Sequence, residues 1–373
     1  MQYRDYGKTG LKVSALGFGA MRLPTRPDGT CDDERAVPIL RRAIELGVTY
    51  FDSAYDYLRG TSEIAVGRAI RPYPRETVIL STKIPIGGLN AGSFRERLET
   101  QLKRFNTSYI DVLHFHSLSW DAFRRYGMGK GGCLEGARRA QGEGLIRHVA
   151  FSSHDSPANV LRLIETGEFE GVLLQYNLLD RRMAECFWAA HVRGLGTAVM
   201  GPVAGGRLAL RREAGGLSVP ALALRWVLSN PHISVALSGM NTLAMVEENA
   251  ATVSRTDPLS EEETAAVQRL LGEMAGLRDL YCTGCGYCMP CPNGVDIPGN
   301  LLLLNHWRLL GEEEAARQGY ARLVRGEVPF RLGEMTLDGR AASACVRCGA
   351  CEPKCPQRLP IMDQLEQVDA ALG

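Results

Sequence analysis

Residues 110–118 read IDVLHFHSL, a β-branched and apolar run with two imidazoles near its end. Seven other runs of this kind recur along the chain: VSALGFGA (13–20), VTYFDSA (48–54), TVILSTKI (77–84), IRHVAFSS (146–153), GVLLQYNLL (171–179), GTAVMGPV (196–203) and ISVALSGM (233–240). Between them lie amphipathic stretches such as DERAVPILRRAIELG (33–47), SFRERLETQLKRF (93–105), SPANVLRLIETG (156–167) and SVPALALRWVLSN (218–230). Several open on a Ser or Asp suited to an N-cap and close on Gly or Asn. Short strands alternating with helices predict parallel strands joined by crossover helices. Eight such units over about 240 residues predict a (β/α)8 barrel, an α/β fold whose active site gathers at the C-terminal ends of the strands. A doubly wound open sheet fits less well, because GFGAMRLP after the first run lacks the full G-x-G-x-x-G and opens no helix.

The bulk composition agrees with an ordinary globular protein. The chain has 373 residues, 45% hydrophobic and 23% charged, with a formal net charge of +1. That balance gives no reason to expect nucleic acid or an anionic membrane surface as a partner. The N-terminus shows no basic stretch followed by an apolar segment, and the leucine run at 301–304 is far below the roughly 20 residues that span a bilayer. A soluble, cytoplasmic protein is expected. The length suits one large and one small domain.

After about Ser260 the strand pattern stops, and the remainder reads as helical around two cysteine groups. Eight of the eleven cysteines fall in these groups: Cys282, Cys285, Cys288 and Cys291-Pro292, then Cys345, Cys348, Cys351 and Cys355-Pro356. The second is C-x2-C-x2-C-x3-C-P, the run that holds [4Fe-4S] clusters in bacterial ferredoxins; the first is one residue shorter before its last cysteine. Two runs specify two clusters. The fourth cysteine of each run usually ligates the other cluster, which assigns Cys282, Cys285, Cys288 and Cys355 to one and Cys345, Cys348, Cys351 and Cys291 to the other. Zinc is the alternative, since paired C-x2-C motifs also build sites with four thiolate ligands, but both runs ending in Cys-Pro argue against it. Cys31, Cys133 and Cys186 stand alone and are expected in the core. With 53 residues between Cys291 and Cys345 the tail predicts an α-helical ferredoxin-like domain. The expected boundaries are 1–258 for the barrel and 259–373 for the tail.

At the strand ends sit Asp52 and Tyr57, Lys83, and His114 with His116. In such a barrel these ends converge on one mouth. A hydride arriving at a carbonyl carbon creates an alkoxide that must be protonated as it forms. A tyrosine can give that proton, and an adjacent ammonium stabilises the phenolate left behind.

Over roughly residues 1–255 the chain resembles the aldo-keto reductase superfamily. YRDYGKTGLKVSALGFGAMRL looks like its N-terminal hairpin and first strand, TYFDSAYDY like its F-D-T-A-x-x-Y segment, and STKI and YIDVLHFHSL like its lysine and histidine strands. With its cysteine tail the chain resembles the iron-sulfur subgroup. The resemblance implies a catalytic tetrad of Asp52, Tyr57, Lys83 and His116, with Tyr55 a neighbour and His114 facing the barrel interior or the opposite side. It further implies cofactor contacts at Gly19, Ser152, Ser153, Gln175, Met200, a pyrophosphate loop of Gly201, Gly205, Gly206, Arg207 and Leu208, and Gly239, Asn241, Glu248 and Asn249. Three departures stand out. Ser153 replaces an asparagine, Met200 stands where many members stack a tyrosine on the nicotinamide, and Gly239 and Met245 fall where NADPH-preferring members often carry Lys and Arg.

The implied activity is reduction of a small aldehyde or ketone by NADH or NADPH, with NADH slightly favoured because a 2′-phosphate needs cationic partners. Nicotinamide gives two electrons as hydride and each cluster takes one, so a flavin in the Met200 pocket, clusters that only brace the structure, and clusters that dock a redox partner protein all stay open. An iron-sulfur electron-transfer module whose barrel binds a partner or a non-nicotinamide cofactor is the alternative function, and a nucleotide-sensing scaffold is a third. The substrate is not readable, since pocket walls come from loops such as Trp120 to Gly132.

Overall fold

The computed structural model describes residues 1–206, 213–214, 217–273, 282, 284–332 and 335–373. Eight parallel strands close into a barrel in sequence order: β1 Leu16–Gly19, β2 Tyr50–Asp52, β3 Ile79–Ile84, β4 Ile110–Phe115, β5 Ile146–Ser153, β6 Gly171–Gln175, β7 Gly196–Met200 and β8 Val235–Ser238, the last pairing back to β1. All eight runs read as strands from the sequence are these strands.

Alternation along each strand sorts its residues between two cores, as the twofold period of a strand requires. Tyr50, Ile79, Val112, Ala150, Leu173, Ala198, Val235 and Leu237 fill the barrel interior. Their neighbours Phe51, Leu80, Leu113, Val149, Val172, Val199 and Ala236 face the surrounding helices. A hairpin of Tyr3–Asp5 and Lys12–Ser14 precedes β1, and Tyr6 from its turn joins the interior cluster. Gly196 makes room for that ring, because a Cβ there would lie 2.2 Å from Tyr6 Cδ1.

The strands that carry the ionisable residues are held firmly. Buried Asp111 accepts from Leu80 N at 2.9 Å and pairs with Arg75 at 2.7 Å and Arg147 at 3.1 Å, tying β3, β4 and β5 together. On the outer face, the Phe169 ring packs 5.8 Å from Phe115 and 4.8 Å from Phe151, contacts that anchor β4 and β5. The helix Ala91–Phe105 begins earlier than SFRERL suggested. Asn90 caps it, its side chain accepting from Gly92 N and Ser93 N while its own backbone N–H donates to Ser93 Oγ.

The chain divides into two compact units, Met1–Val203 with Gly215–Val267, and Ala204–Ala214 with Gln268–Gly373. The first unit extends past the expected residue 258, since Glu263 is buried against Arg225 at 2.8 Å and Arg255 at 3.1 Å. The second contains helices Ile297–Leu310, Glu313–Arg325 and Ile361–Leu372. It also contains a small antiparallel pair, Phe330–Leu332 with Met335–Leu337, that the helical reading of the tail did not anticipate. Among the described residues no helix is long and apolar enough to cross a membrane.

Candidate active site and cysteine centres

Inward-facing positions above the apolar layer turn polar on three adjacent strands. On β2, Asp52 follows Tyr50 on the same face; on β3, Ser81 and Lys83 follow Ile79; on β4, His114 follows Val112. The register sets Asp52 beside Ser81 and Lys83 beside His114. Lys83 Nζ lies 2.5 Å from Asp52 Oδ2 and donates to Ser53 O at 2.6 Å, and Ser81 Oγ donates to Asp52 Oδ1 at 2.7 Å. Both carboxylate oxygens are thus engaged. Burial pushes the Asp52 carboxyl above its ordinary value, while Lys83 and Ser81 pull it down.

Tyr57 enters from the turn after β2, where Leu58 (φ 50°), Arg59 (φ 56°) and Gly60 (φ 82°) are consecutively left-handed. For the two non-glycine residues this conformation costs on the order of 1 kcal/mol each. Thr61 closes the turn, donating through Oγ1 to Leu58 O at 2.5 Å. The turn sends the two tyrosines different ways. Tyr55 lies between the guanidinium groups of Arg97 (5.1 Å) and Arg104 (4.5 Å), whereas Tyr57 presents its ring 4.8 Å from Lys83 Nζ. The His116 ring stands edge-on to Tyr57 at 5.8 Å and 82°. Asp52, Tyr57, Lys83 and His116 therefore meet at one end of one barrel. His114 faces the interior, with Nδ1 3.3 Å from Ser81 Oγ.

Three imidazoles around this site are held neutral. Burial and the Lys83 charge push His114 down to about 3 and hold His116 well below its ordinary value; burial, chiefly, takes His154 to about 4. Below pH 6.5 the unfolded chain takes up protons that these folded sites refuse, so their contribution is present above 6.5 and lost as pH falls toward 3 to 4. Asp52 and Glu63, whose carboxyls burial raises, act in the opposite sense. For His114 alone the loss is about 2 kcal/mol at pH 5. Urea unfolding followed by tryptophan fluorescence should show lower stability at pH 5 than at pH 7.5; equal stability would contradict this electrostatic account.

The expected cofactor positions mostly ring the same strand ends. Gly19, Gln175 and Met200 end their strands, and Gly201 follows in a left-handed conformation (φ 63°). Ser152 Oγ accepts from Ser117 N at 2.9 Å, while Ser153 donates to Leu118 O at 2.6 Å, so its hydroxyl braces the loop after β4. Gln175 Nε2 approaches Asp180 Oδ2 at 3.4 Å. Gly239 is exposed, and the Arg22 stem crosses it, with Cδ 3.3 Å from where a Cβ would stand. Asn249 donates to Ser238 Oγ at 3.1 Å, and Glu248 accepts from Ser218 Oγ. Asn241 Oδ1 is a buried acceptor with no partner among the described residues. Gly205 and Gly206 belong to the second compact unit, and Arg207 and Leu208 lie outside the described residues. Sequence reasoning passed over Ser81, His154 and Arg22. Ser81 was recoverable, since it sits two residues before Lys83 and so shares its face.

In the second unit the two cysteine runs interleave. One cavity is lined by Cys291 from the first run and by Cys345, Cys348 and Cys351 from the second, with Ile297, Val346, Met362 and Leu365 as apolar walls. Burial, followed by the neighbouring Cys282, Cys285 and Cys355, pushes the Cys288 thiol up to about 12. Those three cysteines therefore lie close enough to Cys288 to share one centre with it. Four thiols within an apolar shell fit an iron-sulfur cluster in the Cys291 cavity. Among the described residues no three His, Cys, Asp or Glu side chains form a site for a single metal ion. The single cysteines Cys31, Cys133 and Cys186 are buried.

Comparison with known proteins agrees with this architecture. Residues 15–215 match the model of the aldo/keto reductase family, and residues 281–360 that of a 4Fe-4S dicluster domain. An L-galactose dehydrogenase of Arabidopsis thaliana is 25% identical over 311 residues, 74% of this chain and 96% of its own length. An NADH-specific methylglyoxal reductase of Escherichia coli is 23% identical over 304 residues, covering 66% of this chain and 92% of the relative. An aldo-keto reductase from Bacillus halodurans in its holo form superposes with a TM-score of 0.63 at 28% identity, over 72% of this chain and 96% of that one. With more than half its length matched by the family model, the chain belongs to the aldo/keto reductase family and carries a 4Fe-4S dicluster domain toward its C-terminal end.

Proposed function

We propose that the barrel reduces a small aldehyde or ketone with NADH or NADPH, Tyr57 giving the proton. The observation that carries this reading is Lys83 Nζ, 2.5 Å from Asp52 and 4.8 Å from the Tyr57 ring. A bound reduced nicotinamide would supply the hydride. The chain's own residues do the rest. Tyr57 protonates the carbonyl oxygen as charge develops on it, the Lys83 ammonium stabilises the resulting phenolate, and Asp52 keeps that ammonium in place. His116, held neutral, directs a ring N–H at the same oxygen and orients it. Gln175 and Asn241 are the groups proposed to hold the nicotinamide and the adenosine side of the dinucleotide.

Discrimination between the two dinucleotides should be small. Gly239 and Met245 offer no cation to a 2′-phosphate, and Arg22 brings one guanidinium stem to Gly239 from the turn after β1. The ratio of kcat/KM for NADH and NADPH is expected to stay within about a hundredfold, or 2.7 kcal/mol. A larger preference for NADPH would show that a phosphate site exists elsewhere in the pocket.

A second reading, an electron-transfer module, is favoured by the rim of the Cys291 cavity, where Cys348 is exposed and Val346 is 65% exposed. Full-length protein, purified and reconstituted without oxygen, separates the two when mixed with NADH and a panel of aldehydes. Oxidation of NADH that depends on the aldehyde supports the reductase. Bleaching of the cluster absorbance by NADH without carbonyl turnover supports the module.

A further inference from the structure

Below the tetrad, β4 places a second imidazole that carbonyl reduction does not require. His114 is fully buried and pairs in register with Lys83. Its hydrogen bonding is constrained by its neighbour. The single Ser81 proton points to Asp52 Oδ1, the shorter and charge-assisted contact at 2.7 Å. Ser81 Oγ can then only accept from His114 Nδ1, 3.3 Å away. That fixes the proton on Nδ1 and makes Nε2 the acceptor, and Nε2 is a buried atom with no partner among the described residues. Leaving such an atom unpaired in the interior is costly. A residue kept only for packing would avoid that cost as Leu or Met.

We infer that His114 is a positioning residue of the reductase site: as the Nδ1–H tautomer it fixes the Ser81 hydroxyl, which fixes Asp52, which holds the Lys83 ammonium beside Tyr57. The inference rests on the proposed reductase reading for its kinetic consequence, and on the hydrogen-bond geometry alone for the tautomer. The charged and titratable groups around the imidazole are Lys83 from β3, Asp52 from β2 through Ser81, and His116 along its own strand, whereas β5 sets Ala150 opposite it. In the interior below, the buried phenols of Tyr6 and Tyr50 lie against one another, and Tyr50 also approaches Ser81. Burial and the Lys83 cation, the two leading influences on the ring, both favour a neutral imidazole.

Two measurements on the full-length protein test this. In histidine-15N-labelled protein, the resonance lost in His114→Gln should show a neutral ring with the proton on Nδ1, unchanged from pH 5.5 to 9. An Nε2–H ring, or one titrating near 6.5, overturns the inference. In kinetics, His114→Leu should lower kcat about tenfold with little change in KM for the dinucleotide, the size seen when groups behind a reactive centre are removed. Its alkaline limb should move up by about one pH unit as the Tyr57 phenol loses part of the lysine's support. His114→Gln, whose amide can still donate to Ser81, should recover most of both. A folded Leu variant with the parent kcat and alkaline limb overturns the inference. Should the Leu variant fail to fold, the Gln variant and the tautomer decide. Should the parent protein turn over no carbonyl, the reductase reading fails while the tautomer still rules on His114.

Discussion

Tyr57→Phe should lower kcat for carbonyl reduction by about a thousandfold while leaving dinucleotide affinity unchanged, because the variant removes a proton donor and nothing that touches the ground state of the cofactor. The hydroxyl is the only part lost. The left-handed turn through Leu58 and Arg59 would still direct a phenyl ring at Lys83. Tyr55→Phe is the control. Its ring lies between Arg97 and Arg104, away from the ammonium, and its hydroxyl should be dispensable. Lys83→Met should fall by a similar factor and leave Asp52 buried without its cation, so a lower unfolding midpoint should accompany the loss. Stopped-flow reduction of an aldehyde, with dinucleotide binding followed by fluorescence quenching, checks all three. Retention of more than a tenth of the parent kcat by Tyr57→Phe would remove the tyrosine from the chemistry.

The second large effect concerns iron. If the fourth cysteine of each run serves the other run's cluster, Cys355→Ser disrupts the centre that includes Cys282, Cys285 and Cys288, and about four of eight irons are lost. Pairing variants shows the exchange directly. Cys355→Ser combined with Cys288→Ser should lose no more iron than either alone, because both ligate one cluster. Cys355→Ser combined with Cys348→Ser should lose nearly all of it. Runs that each kept their own four cysteines would give the reverse pattern. The cavity that joins Cys291 to Cys345, Cys348 and Cys351, and the influence of Cys282, Cys285 and Cys355 on Cys288, support the exchanged arrangement. Iron analysis and low-temperature magnetic resonance of the reduced protein give the count.

The two predictions bear on one question, how the hydride transfer proposed for the barrel relates to an iron-sulfur tail on the same chain. A Tyr57→Phe protein with its full iron content and a Cys355→Ser protein with full aldehyde turnover would together show that the two chemistries are separable. Loss of turnover in Cys355→Ser with the barrel still folded would show that they are not.

The barrel itself was legible in the sequence, and the reason is periodic. Each strand is a short apolar run bounded by helices with their own caps, and burial on both faces leaves little choice of conformation for IDVLHFHSL or TVILSTKI. The eight cysteines were legible because their spacing is local. The small strand pair at Phe330–Leu332 and Met335–Leu337 was not, since three-residue strands carry almost no period to read. Neither was the division of the chain, because Glu263 is drawn to the barrel by Arg225, a partner 38 residues away in sequence.

What the sequence alone determined is which side chains stand at the strand ends. Tertiary structure alone decided their mutual geometry: that Tyr55 is clasped by two arginines while Tyr57 turns to Lys83, that Ser81 links Asp52 to His114, and that Cys291 shares a cavity with the second run. The physical reason is range. Patterning and capping act over a few residues, whereas an ion pair or a shared cavity joins positions that only closure of the barrel or folding of the tail brings within reach.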